Sequence, residues 1–91
     1  MTFDIALRFL REGKTVCRLS WQRDGAFLYL VPGSIFAVDR QPLLGIFPRG
    51  AEVTYRSHID KRDSGGCVSP WSPTQEDLLA DDWITTGYSD R

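Results

Sequence analysis

Phe3, Ala6, Leu7 and Leu10 recur at the i, i+3, i+4, i+7 spacing of one helical face, with Thr2 placed to cap the first turn, Asp4 inside it and Gly13 where a helix stops. This spacing predicts an amphipathic helix over residues 3–12. From Lys14 the period changes to two, with Val16 on one side and Cys17 and Leu19 on the other, which predicts a strand over 14–19 running toward Trp21. The polar turn Gln22-Arg23-Asp24-Gly25 and the aromatic, branched run 26–31 then complete a hairpin that closes at Pro32-Gly33.

Residues 35–38 suit a further short strand. Residues 39–50, with Pro42, Gly45, Pro48 and Gly50, read as an ordered loop whose apolar piece 43–47 offers packing or oligomer contact. Over 53–60 the alternation is nearly strict: Val53, Tyr55, Ser57 and Ile59 on one face, Thr54, Arg56, His58 and Asp60 on the other. That pattern predicts one strand, joined through a turn at 61–66 to a return strand at 67–71. Ser72, Pro73 and Gln75 have the order of an N-cap, a first-turn proline and a capping-box partner, so a second helix is expected through Ala80, followed by a closing strand at 83–86 and a tail at 87–91. The pattern as a whole predicts an α+β fold: a small antiparallel sheet with an N-terminal helix and a short C-terminal helix, residues 1–91 forming a single domain.

Eleven basic and twelve acidic residues give a net charge of -1, which excludes a protein whose affinity comes from neutralising a long nucleic-acid backbone. Nine of the cations are Arg, the residue suited to bidentate phosphate or carboxylate contacts and to stacking on rings. The longest apolar run, 26–31, is far short of the roughly 18 residues that span a bilayer, so a soluble, cytoplasmic protein without membrane partners is expected. Cys17 and Cys67 are read as reduced, half-buried strand residues. A chain of 91 residues buries only about 60 to 65% of its unfolded surface, which leaves little volume for both a core and a nucleotide-sized pocket. Any such pocket is expected between subunits of a homo-oligomer.

The chemistry-bearing residues are few. His58 stands beside Arg56 and Asp60 on a strand, and no signature such as GxSxG supplies it with a nucleophile. One His and two distant Cys make no metal set, and the glycines form neither GxGxxG nor a P-loop, so no cofactor is expected. Glu76, Asp77, Asp81 and Asp82 read first as a solvated helix surface. Trp83 reads as core. Trp21 and Trp71 either fill the core or present ring faces to a base, the latter with Arg18, Arg56 and the N–H groups near Ser72 for phosphate.

The segments ALRFLREGKTVCRLSW, FLYLVPGS, PLLGIF, YRSHID and PWSPTQEDLLADDW, in that order over about residues 3–86, resemble the second Thoeris anti-defence family of small phage and prophage proteins. The resemblance implies a homotetramer that binds glyco-cyclic ADP-ribose, the signal made by bacterial TIR-domain immune enzymes, and sequesters it intact; some relatives also hold cyclic dinucleotides. It implies no catalysis. Arg18, Trp21, Pro70, Trp71, Asp77, Asp82 and Trp83 stand where the family has like residues, whereas Gln22-Arg23-Asp24-Gly25 replaces a common Asn-Gly-Lys-Gly. The expected ligand contacts are Arg18, Trp21, Arg56, His58, Trp71, Ser72 and Asp77. Two other readings compete: a small hydrolase using His58 with an acidic partner, and a phage protein-interaction module with aromatic anchors.

Overall fold

The computed structural model describes residues 1–86. In chain order the elements are α1 (Phe3–Arg11), β1 (Val16–Arg18), a 3-10 turn (Leu19–Trp21), β2 (Phe27–Val31), β3 (Ser34–Ala37), β4 (Glu52–Tyr55), β5 (His58–Arg62), β6 (Val68–Pro70), α2 (Gln75–Leu79) and β7 (Trp83–Thr85). β6, β5, β2, β1 and β7 form, in that spatial order, a five-stranded sheet with every pair antiparallel, and β3 pairs with β4 in a separate ladder. The fold is α+β, with the N-terminal helix and short C-terminal helix that the periodicity predicts.

Helix α1 ends as its sequence dictates. Gly13 takes φ 87°, and the Gly13 and Lys14 amides donate to the Leu10 and Phe9 carbonyls, which satisfies two carbonyls left over at the helix end. Thr2 does not cap by its side chain; its hydroxyl donates to the Asp4 carboxylate instead. The apolar stripe of α1 delivers Ala6 and Leu10 to a core completed by Val16, Leu28 and Trp83. Burial of each large member contributes roughly 1.5 to 3 kcal/mol.

Register sorts the sheet into two faces. Val16 and Arg18 share the helix-covered face with Leu28, Leu30, Ile59, Lys61 and Trp83, while Cys17, Phe27, Tyr29, His58, Asp60 and Ile84 alternate to the other. Cys17 is buried and Cys67 is exposed, so neither is half-buried as expected. Cys17 lies in β1, whereas Cys67 precedes β6 rather than lying in a strand; β1 and β6 are three strand intervals apart, about 14 Å, beyond the reach of a disulfide.

Residues 53–60 do not form one strand. The chain breaks at Arg56-Ser57, and β4 and β5 belong to different ladders. The partner strand breaks opposite, at Pro32-Gly33, because proline cannot donate to a ladder and because a Cβ on Gly33 would sit 2.6 Å from the Tyr55 carbonyl oxygen. Register passes the break without a slip, Val31 facing His58 on one side and Ser34 facing Tyr55 on the other. β2–β3 and β4–β5 are therefore the two limbs of one long, bent ribbon, and β3, β4 and the loop 38–51 make an arm. The molecule is accordingly elongated, 46 × 31 × 26 Å, with a radius of gyration of 15.9 Å where a compact chain of this length has about 12 Å.

Helix α2 also starts later than predicted. Ser72 is not its cap: Thr74 is, its hydroxyl accepting from the Asp77 amide at 3.1 Å while the Asp77 carboxylate accepts from the Thr74 amide at 3.0 Å. β7 closes the sheet beside β1, and the tail at 87–91 lies outside the described residues.

Candidate functional site

The most residues of predicted interest meet on the covered side of the sheet, around Trp83. This indole is wholly buried, its Nε1 donating to the Asp77 carbonyl at 2.9 Å. The rings of Trp21, Trp71 and Phe3 pack on it at centroid distances of 5.5, 6.0 and 5.2 Å. The two tryptophans approach it edge-on, the arrangement that ring quadrupoles favour. Trp21 and Trp71 are thus half-buried members of one aromatic cluster rather than isolated platforms. Trp21 also sits on a 3-10 turn rather than at the end of a strand, and the Lys61 ammonium rests 4.0 Å from its ring centroid.

Arg18 and Asp77 are brought together, though not by an exposed site. The Arg18 guanidinium donates to Asp77 Oδ1 at 2.8 Å and, through Nε and Nη2, to both oxygens of Asp82, tying β1 to both ends of the α2–β7 segment. Asp77 is buried and Asp82 partly so, so the expectation of a solvated acidic helix surface fails for these two. Three groups hold the Asp77 carboxyl in its charged form. Burial alone pushes its pKa up, but the Thr74 amide, the Thr74 hydroxyl and the Arg18 guanidinium outweigh burial and bring it below the ordinary value of 3.8. A depressed carboxyl stabilises the fold above its unfolded pKa and loses that contribution as pH falls through the folded value. The melting temperature of the wild type is therefore expected to drop below about pH 4, and that of Asp77→Asn, already lower at neutral pH, to drop less over the same interval.

Beside the aromatic cluster a groove of about 430 Å³ opens between α1 and the sheet. Leu7, Leu30 and Ile59 are its apolar lining, Trp71 forms one wall, and Arg11, Ser57 and His58 border it. Its volume lies within the range of small-molecule sites. His58 borders it where β5 begins. Its Nδ1 donates to the Arg56 carbonyl at 3.3 Å, and its Nε2 lies 3.5 Å from Asp60 Oδ1. Arg56 and Ser72 are exposed, Arg56 at the break between β4 and β5 and Ser72 directly after Trp71. Of the seven expected contacts, Trp71 and His58 line this groove, Arg56 and Ser72 are their chain neighbours or next but one, and Arg18, Asp77 and Trp21 lie in the structural cluster behind it. Arg11 was not among the expected contacts. It stands one turn after Leu7 on the same helix face, and that i, i+4 relation is the signal that carries it to the groove.

Among the described residues no group of three or more His, Cys, Asp or Glu side chains could hold a metal ion, and no helix is long and apolar enough to cross a membrane. The free thiol of Cys17 is pushed up in pKa by burial and then by the nearby Asp82 carboxylate, the opposite of an activated nucleophile.

A family described as the Thoeris anti-defense 2-like domain matches residues 1–86. The protein Thoeris anti-defense 2 of Bacillus phage SP01 is 30% identical over 83 residues, covering 91% of this chain and 91% of that protein. By the extent of both matches, the chain belongs to the Thoeris anti-defense 2-like family.

Proposed function

We propose that this protein binds a cyclic nucleotide-derived immune signal of the glyco-cyclic ADP-ribose type and sequesters it without cleavage, blocking Thoeris signalling by TIR-domain enzymes. Family membership supports an anti-defence role. The observation that carries the ligand class is the groove beside Trp71. An indole wall and an aliphatic lining suit a purine, and Arg11, with Arg56 close by in the chain, suits phosphate oxygens. Among the described residues no serine or cysteine is hydrogen-bonded to His58, which favours holding over hydrolysis. A groove open along one side leaves part of a nucleotide uncovered, and a homotetramer, with subunits shielding one another's ligand, is the assembly we propose.

The test is to incubate the protein with glyco-cyclic ADP-ribose, remove free ligand by filtration, denature the protein by heat and chromatograph what is released. Intact ligand is the expected result. Altered ligand would support a hydrolase, and no retained ligand would support a protein-interaction module. Arg11→Ala and Arg56→Ala are each expected to weaken binding about tenfold or more without lowering the melting temperature, because a hydrogen bond to a charged group contributes about 1.5 to 3 kcal/mol. Full-strength binding by both variants in titration calorimetry would place the ligand elsewhere.

A further inference from the structure

We propose that the tip of the β3–β4 arm docks on the α2 end of a second copy of this chain, an inference that rests on the oligomeric reading above. The arm carries apolar side chains that its own chain does not cover: Ile46 is 70% exposed and Phe47 is exposed next to it in the loop, and Ile35 and Tyr55 are exposed on opposite faces of the β3–β4 ladder. At its tip is a hollow of about 450 Å³, walled by Phe36, Val38, Pro42, Leu43 and Tyr55 and bordered by Arg40. A second uncovered apolar patch lies on α2, where Leu79 is 81% exposed and Leu78 is exposed with it. Leu19, also exposed, is tied to the end of this segment by its amide, which donates to the Asp82 carbonyl at 3.0 Å.

The two patches are both apolar and are complementary in charge. Residues 39–50 carry Arg40 and Arg49 against the single carboxylate of Asp39. Residues 75–82 carry four carboxylates and no cation. Arg18 takes Asp77 and Asp82, and Glu76 and Asp81 have no ion pair among the described residues. An apolar tip with net positive charge thus matches an apolar helix end with net negative charge, and every copy carries both halves. Docking places Leu78 or Leu79 in the tip hollow and Arg40 and Arg49 against Glu76 and Asp81. The contact joins unlike surfaces, so it closes either as a mutual exchange of arms between two copies or as a ring.

Light scattering with a circular dichroism spectrum on each sample tests this. The wild type is expected to be multimeric. Leu79→Asp, the pair Arg40→Glu with Arg49→Glu, and the pair Glu76→Arg with Asp81→Arg are each expected to lower the mass by half or more with the spectrum unchanged. The chain carrying all four charge reversals is expected to recover the wild-type mass, which general destabilisation cannot produce. A multimeric wild type whose variants keep its mass, or a fourfold variant that stays dissociated, would overturn the arm-to-helix contact alone. A monomeric wild type would overturn the oligomeric reading and this contact with it.

Discussion

Trp83→Ala is expected to lower the stability of the fold by roughly 3 to 5 kcal/mol, the usual cost of emptying a buried tryptophan site. Small domains have only about 5 to 15 kcal/mol in total, so the variant stands near the limit of folding, with a melting temperature lowered by at least about 12 °C. The loss is large because three functions meet in this side chain. It fills the centre of the core, it supplies the surface on which Phe3, Trp21 and Trp71 pack, and its Nε1 satisfies the carbonyl of Asp77. Trp83→Phe separates them: it keeps most of the packing and leaves the buried carbonyl without its donor, at about 1 to 3 kcal/mol. Thermal denaturation of both variants is the check. Equal destabilisation by Ala and Phe would mean that the hydrogen bond dominates, and a stable Trp83→Ala would mean that this ring is not the centre of the core.

The second large effect is expected at Asp77. Asp77→Ala removes the acceptor for Arg18 and the reciprocal half of the α2 capping box, and it leaves a largely buried guanidinium with Asp82 alone. Breaking one side of a buried ion pair costs about 3 to 5 kcal/mol, and the lost cap adds about 1 kcal/mol, reduced here because Arg18 retains its second carboxylate. Arg18→Ala is expected to be comparably damaging, since it leaves two carboxylates facing each other without a cation. The double variant should be destabilised by clearly less than the sum of the two, with a coupling of about 1 to 3 kcal/mol, because each single change already destroys the shared contact. The same cycle separates structure from ligand binding at these positions. If Arg18 and Asp77 acted mainly on ligand, both variants would melt near the wild type and differ only in affinity.

That pair also shows where the sequence stops being informative. Thr74 and Asp77 stand three apart, as Ser72 and Gln75 do, and Pro73 after Ser72 makes the earlier cap the better local choice. The later cap forms because its Asp77 carboxylate is shared with Arg18, which lies 59 positions away in sequence. Local rules contain no such partner. The break inside residues 53–60 has the same origin. Alternation continues through Arg56 and Ser57, and the strand is interrupted only because the opposing limb carries Pro32 and Gly33, whose backbone lies too close to Tyr55 for any side chain.

Much was nonetheless determined by the sequence alone. The 3.6-residue period fixes α1 and its buried stripe, Gly13 fixes its end, and the period-two runs with their turn residues place the strands of the main sheet, because these signals act within a few residues and need no distant partner. Tertiary structure alone decided how those elements met. Sheet order sent Cys17 inward and left Cys67 exposed. It gathered Trp21, Trp71 and Trp83 into one cluster with Arg18 and Asp77 beside it. It brought Arg11 to the groove with Trp71 and His58. Each of these depends on which strands become neighbours, a choice made by the packing of the whole core, and a pattern read along one chain does not contain it.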